Sequence, residues 1–259
     1  MTPALAIVAR NVGVEYDLRL TQRRTLRQVL GEFIHPGQNR EEVSFWALHG
    51  VSFSVRAGDV LGVIGRNGSG KSTLMLAIAG ILRPDIGSMQ TFGRASTLLT
   101  LGAGFDEDLT GRENIYLNGA FLGFNRARID RLLDAILEFA GLGEFIDVPL
   151  RKYSAGMRTR LAFSIAAHAE PDILLLDEVL GVGDVEFKHR SQERILEMMH
   201  RARAIVIVSH DLAFVEETCT RCLWLRDGTV ADFGNPKQVI ERYRHDAECS
   251  AGEAVRAVS

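Results

Sequence analysis

VLGVIGRNGSGKSTLMLAIAG, residues 60–80, changes character twice along its length. VLGVI at 60–64 is a short apolar run of strand length. STLMLAIAG then places apolar residues at helical spacing until Gly80, a residue suited to ending a helix. Between the two, Gly65, Arg66, Asn67, Gly68, Ser69, Gly70, Lys71 and Ser72 match G-x-x-x-x-G-K-S/T, with Thr73 directly behind. Glycines allow the backbone to curl with its N–H groups pointing inward, and the start of a helix adds a positive dipole end. Lys71 supplies a full charge for a triphosphate, and the Ser72 hydroxyl is placed to ligate Mg2+. A turn that merely joined strand to helix would need neither. The stretch therefore predicts a P-loop that receives the triphosphate of a nucleotide, set in an α/β fold.

Working outward, DILLLDE at 172–178 and AIVIVSH at 204–210 are continuous apolar runs of the kind buried on both faces of a parallel sheet. Strand, helix and strand in succession again indicate α/β. LAIVARNVGVEY at 5–16 alternates loosely and VSFSV at 51–55 strictly, which predicts a half-exposed β layer. Glycines and short apolar stretches between 87 and 101 suit a hairpin. Beyond it the composition shifts: IDRLLDAILEFA sets Ile129, Leu132, Leu133, Ile136 and Ala140 at helical spacing, so 104–150 reads as a helical insert. The organisation expected is one domain over 1–259. Residues 1–103 and 151–240 form the core and β layer, 104–150 most of a helical subdomain, and 241–259 a tail whose AECSAGEAVRAVS should fray.

Two further acids and a histidine belong with the P-loop. Asp177 ends ILLLD at the mouth of a buried strand, where a metal-nucleotide needs a carboxylate, and Glu178 follows it. This pair suits a division of labour, with Asp177 holding Mg2+ through water and Glu178 polarising the attacking water. His210 ends the next apolar strand and should emerge on the same sheet edge, within reach of a γ-phosphate or the water. Tyr153-Ser154-Ala155-Gly156-Met157 precedes a helix whose face is marked by Met157, Leu161 and Ile165, which makes Ser154 an N-cap. Gly156 also clears space beside free N–H groups, and a second phosphate could be received there.

Composition removes several classes. The chain of 259 residues is 46% hydrophobic and 24% charged, an ordinary globular balance that excludes disordered and collagenous chains. Thirty Lys and Arg against 33 Asp and Glu give a net charge of -3, so no bulk basic field exists for nucleic acid. Apolar runs stay below the roughly 18 residues of a bilayer-spanning helix, and MTPALAIVARN is too short a signal peptide, which predicts a cytosolic chain. Cys219, Cys222 and Cys249 are too few for a disulfide framework. Cys219 and Cys222 have half of a zinc spacing with no second pair nearby, and read as ordinary thiols.

The ordered set GRNGSGKST, YSAGM, ILLLDE and SHD resembles the ATP-binding subunit of an ABC transporter over most of the chain. That resemblance implies an ABC-type P-loop ATPase core with an antiparallel β layer and a helical subdomain. It further implies two ATP molecules sandwiched in a head-to-tail homodimer, in which Ser154, Ala155, Gly156 and Met157 meet the nucleotide on the partner's P-loop. Gly183 and Asp184 would lie at the subunit junction, and Lys71, Glu178 and His210 would carry catalysis. Tyr16 falls where the family often stacks an aromatic on adenine, although an ordinary strand-end tyrosine reads the same way. One departure stands out. Between Ser88 and Met157 the sole glutamine is Gln90, too early for the family's Gln loop. LLTLGAGFDEDLTGRENIYLNG fills that junction, with Asp106 and Glu107 as its nearest acids.

GAGFDEDLTGRENIYLNG, YSAGM and DEVLGVGDVEF together are similar to the subgroup that exports O-antigen, capsular or teichoic acid polymers. The implied partners are two copies of an integral membrane permease at the cytoplasmic face of the cell membrane, with a lipid-linked glycan as cargo. QRRTLRQVLGEFIH supports an amphipathic helix at about 22–34. Leu26, Val29, Leu30, Phe33 and Ile34 share one face, and Arg23, Arg24 and Arg27 lie on the other. It suits a membrane surface, a partner helix or a cover for its own sheet. The rival readings are an ABC exporter of another cargo such as a drug or lipid, and a soluble ABC ATPase of DNA repair or translation. The latter usually carries coiled-coil arms or paired ATPase domains.

Overall fold

The computed structural model describes residues 4–17, 44–97, 102, 104–177 and 185–256. The helix expected at 22–34, together with Glu178, Gly183 and Asp184, lies outside the described residues. In chain order the strands are β1 (Leu5–Asp17), β2 (Ser44–Arg56), β3 (Val60–Ile64), β4 (Ile86–Thr91), β5 (Ala95–Thr97), β6 (Ile173–Asp177), β7 (Ala204–Val208), β8 (Arg221–Arg226) and β9 (Thr229–Gly234). The helices are α1 (Lys71–Ile78), α2 (Gly111–Phe121), α3 (Arg126–Ala140), α4 (Ala155–Ala166), α5 (Val185–Arg201), α6 (Leu212–Thr218) and α7 (Pro236–Arg256).

A six-stranded sheet runs β5-β6-β7-β3-β8-β9 and is parallel except for β9. Its apolar runs are continuous because each face of the sheet has its own core. Alternate residues divide between them. Val63, Leu175, Val206 and Leu223 join a cluster with α1 and the second sheet, whereas Ile64, Leu174, Ile207 and Trp224 join one with α4, α5, α6 and α7. Both layers are dry enough that Leu174→Ala should cost about 2–5 kcal/mol. The second sheet, β2-β1-β4, is antiparallel and covers the first face. In β2, Val51, Phe53 and Val55 are buried while Ser52 is exposed, as strict alternation requires.

The helical subdomain has a separate core built from Ile115, Phe124, Ile129, Ile136 and Ala140, joined by Leu161 and Ile165 of α4. Helix α4 therefore belongs to two cores at once, since its Phe163 and Ala166 face the large sheet. Helix α2 starts at a capping box in which Thr110 and Glu113 bond reciprocally, and hydrogen bonding from the Thr110 amide and hydroxyl holds the Glu113 carboxyl below its usual range.

Two expectations need correction. Residues 87–101 are not a hairpin, because β4 and β5 lie in different sheets. At the crossing the Phe92 amide bonds to the Ala6 carbonyl at 2.8 Å, and the Arg94 amide to the Asp172 carboxylate at 2.8 Å. One residue thus stays with the antiparallel layer and the next but one is committed to β6. The tail does not fray at 247 either: α7 runs unbroken across the 240/241 boundary to Arg256. Val239 and Ile240 anchor its first turns in the core, and the Ala and Glu residues beyond are good helix formers. No helix among the described residues is long and apolar enough to cross a membrane.

Candidate nucleotide site

The P-loop leaves the central strand β3 at Ile64 and is gripped from both sides. At Gly65 a Cβ would sit 2.3 Å from the Leu225 carbonyl oxygen and 2.6 Å from Ser69 Oγ. At Gly70, where φ is +97°, a Cβ would sit 2.4 Å from the Ala47 carbonyl oxygen. Close backbone approach requires glycine at both places. Lys71 is 8% exposed, and its Nζ donates to the Gly65 carbonyl at 2.8 Å and the Arg66 carbonyl at 2.9 Å. Ser69 Oγ is buried without a hydrogen-bond partner, an orphaned polar atom in the loop wall. Helix α1 starts at Gly70 without a side-chain cap, so its opening N–H groups are available to an anion. These features fit a triphosphate.

The sheet edge brings the remaining chemistry alongside. Val63 pairs with Val208, and Val208 pairs with Asp177, so β3, β7 and β6 end in one row. Asp177 is half-buried and stands two strands, about 10 Å, from the foot of the P-loop. The exposed Ser72 hydroxyl and the Asp177 carboxylate are the oxygen donors that this edge offers a cation. Both are hard oxygen donors of the kind Mg2+ takes. His210 is exposed two residues past Val208, on the same edge.

Tyr16 pairs with Phe45 at the ends of β1 and β2. Two residues, about 7 Å, along β2 from Phe45 is Ala47, whose carbonyl abuts Gly70. Tyr16 is 39% exposed and Phe45 52%. Phe45 lies beside Tyr16 across the strand pair and carries no signal of its own in the sequence. The register of the two strands, which joins them, is invisible along the chain.

YSAGM occupies the start of α4. The buried Tyr153 hydroxyl donates to the Phe145 carbonyl at 2.5 Å, and burial pushes it up to about 12. Ser154 Oγ accepts the Met157 amide at 3.2 Å as the N-cap. Ser154, Ala155 and Gly156 are all exposed, and a Cβ at Gly156 would meet only Ser154 Oγ, at 3.9 Å. The acids at the glutamine-less junction are engaged elsewhere. Glu107 pairs with Arg158 of α4 at 2.6 Å, and Asp106 Oδ1 accepts the Asp108 amide at 2.9 Å. Gln90 is a β4 residue paired with Val8. Cys219 and Cys222 are buried in the core, where burial pushes each thiol up to about 12.

One brace on the loop does not follow from the sequence motifs. The β8–β9 turn, with Asp227 and Gly228 at φ +49° and +75°, sends the Gly228 amide to the Ser69 carbonyl at 3.2 Å. An Asp-Gly pair between alternating runs was the available signal.

A P-loop at the end of a central parallel strand, an antiparallel layer and a helical subdomain ending in YSAGM define a P-loop nucleotide-binding domain. The chain belongs to the ABC transporter family, whose model matches residues 48–181. It is 46% identical over 207 residues to the O-antigen export system ATP-binding protein RfbB of Myxococcus xanthus, covering 80% of this chain but 47% of that protein. It thus spans about half the length of that relative. It is 43% identical to the RfbB of Klebsiella pneumoniae, covering 77% of this chain and 81% of that protein. It is 39% identical to the teichoic acids export ATP-binding protein TagH of Levilactobacillus brevis, over 98% and 69% of the two. Among solved structures, an ATP-binding subunit of an ABC transporter superposes with a TM-score of 0.65 at 21% identity, over 92% and 93% of the chains. The dimeric cassette MJ0796 bound to ADP and Pi gives 0.63 at 19%, over 89% and 98%. These two bear on the fold.

Proposed function

We propose that the chain is the ATP-hydrolysing subunit of an ABC exporter that moves a lipid-linked polysaccharide across the cell membrane, acting at its cytoplasmic face. The observation that supports the reading is the edge row Val63, Val208, Asp177, in which the strands leading to the P-loop, to the carboxylate and, two residues on, to His210 end side by side. P-loop amides and Lys71 hold the β- and γ-phosphates, Lys71 exchanging its loop carbonyls for phosphate oxygens. Ser72 and, through water, Asp177 would hold Mg2+, which when bound would supply charge neutralisation on those phosphates. Glu178 accepts the proton of the attacking water, and His210 hydrogen-bonds the water or the γ-phosphate. Tyr16 stacks on adenine, joined by Phe45. Ser154 and Gly156, exposed on the helical subdomain, complete the partner's site in a head-to-tail homodimer.

A membrane permease, two copies per dimer, would dock at the groove of about 370 Å³ between core and helical subdomain, lined by Ile81, Arg94, Thr97, Asn118 and Phe121. Phe121 is 70% exposed there. Glu178→Gln should bind ATP, hydrolyse it at least 100-fold more slowly and accumulate a closed dimer by size-exclusion chromatography; wild-type turnover would remove Glu178 as the base. Capture of that variant with ATP from detergent-solubilised membranes should bring down a multi-span protein and a glycolipid. Recovery of a different lipid or a drug-type permease would replace the cargo, and recovery of nucleic acid alone would end the transport reading.

A further inference from the structure

We infer that Asp246 and Arg226 are positioning residues for nucleotide binding, through which α7 sets the height of the P-loop. The inference rests on the ATP-hydrolysing reading above. Helix α7 is rooted by Val239 and Ile240 in the core, and Tyr243 packs edge-on against Trp224 with ring centroids 5.5 Å apart. One turn further, Asp246 Oδ1 accepts from the Arg226 guanidinium at 2.8 Å, and that guanidinium lies 5.4 Å from the Trp224 ring centroid. Arg226 thus has a carboxylate on one side and an indole on the other.

Arg226 is the last residue of β8, and the strand end and the turn that follows bear on the P-loop at one place each. The Leu225 carbonyl sits where a Gly65 side chain would be, and the Gly228 amide donates to the Ser69 carbonyl. On its far side the Gly228 carbonyl accepts the His49 amide at 2.8 Å, which ties the same turn to β2. Any shift of Arg226 along its strand is therefore passed to Gly65 and Ser69. Between α7 and the loop lies a cavity of about 470 Å³ walled by Arg66, Asn67, Tyr243 and Asp246. The loop thus has room to move on that side, and the ionic contact supplies the restraint.

The two side chains are 53% and 37% exposed, so the pair works in solvent and its effect is modest and salt-sensitive. A two- to fivefold rise in KM for Mg-ATP is expected in Asp246→Asn and in Arg226→Glu, with kcat within 1.5-fold of wild type. The swap Arg226→Glu with Asp246→Arg should restore KM. Raising KCl from 50 to 500 mM should lift the wild-type KM towards that of Asp246→Asn and narrow the difference. Amide hydrogen exchange supplies a readout independent of turnover: protection of the 226–229 segment should fall in Asp246→Asn, with α7 itself still protected. Unchanged KM in both single variants of a hydrolysing protein, or a swap that fails to restore it, overturns the inference and leaves the ATPase reading standing. A wild-type chain that neither binds nor hydrolyses Mg-ATP overturns both.

Discussion

Gly70→Ala separates what the P-loop demands of its backbone from what it demands of space. Gly70 has φ +97°, and an L-residue held there loses about 1–2 kcal/mol. The added methyl would also sit 2.4 Å from the Ala47 carbonyl oxygen and 2.9 Å from Leu48 Cδ2. Ala47 is buried in mid-strand, so relief means moving β2 or the start of α1 by more than half an ångström, and overpacking of that sort costs about 1–3 kcal/mol. Together the loss is about 2–5 kcal/mol, or roughly 5–15 °C in Tm for a domain of this size. Gly68 supplies the comparison. It has φ +81° with nothing within 4 Å of its Cβ position, so Gly68→Ala should lose the conformational part alone, about 3–6 °C. Differential scanning fluorimetry on the two variants, with titration of a fluorescent ATP analogue, reads both effects. Equal Tm losses at the two glycines, or a wild-type Tm and affinity in Gly70→Ala, would refute the argument that β2 fixes the start of α1.

Three other substitutions test the site and its supports. Ser154→Ala should lose the α4 cap at about 1 kcal/mol, while Ser154→Asp keeps the cap and sets a negative charge towards a partner's phosphate. The aspartate variant should retain wild-type Tm and lose at least tenfold in ATPase rate; unimpaired turnover would reduce Ser154 to a cap. Tyr153→Phe removes one of the two donors to the Phe145 carbonyl, which keeps the Val148 amide at 3.0 Å, and should cost about 0.5–1.5 kcal/mol by urea denaturation, with an unchanged midpoint counting against that bond. Burial lowers the His168 pKa, while its Nδ1 bond to the Ser164 carbonyl acts in the opposite sense. Its contribution is therefore complete above the unfolded value near 6.5 and is lost as pH falls through the folded one. Wild-type Tm should drop between pH 7.5 and 5.5 more steeply than that of His168→Gln, and parallel curves would show that the ring is not the titrating group.

Those parts of the molecule governed by neighbours in sequence were readable from the chain. The P-loop is one uninterrupted stretch, and β3, β6 and β7 are apolar throughout because both faces of their sheet are covered. Alternation gave β2, helical spacing gave α3, and Ser154 announced its cap. What escaped depends on partners far along the chain. Nothing local separates a Gly-rich hairpin at 87–101 from a crossing between sheets, since the deciding contacts are with Ala6 and Asp172. The same holds for Glu107, whose carboxylate is claimed by Arg158, and for Phe45, which acquires meaning once β1 pairs with β2. Small residues near the C-terminus read as loose, and it is the anchoring of Val239 and Ile240 a few turns earlier that lets α7 continue.

Helix α7 also has a mechanical consequence. From Ile240, where it is embedded in the core, to Arg256 the backbone rises about 24 Å, with the Asp246 contact to the nucleotide-binding end close to the pivot. A rod held near one end magnifies rotation: a tilt of about five degrees at the root would carry Arg256 roughly 2 Å sideways. A displacement of the phosphate loop too small to alter the packing of the core would thus be legible at the far end of α7. If the Asp246 contact couples the two, a load applied at that end would return to the loop with the leverage reversed.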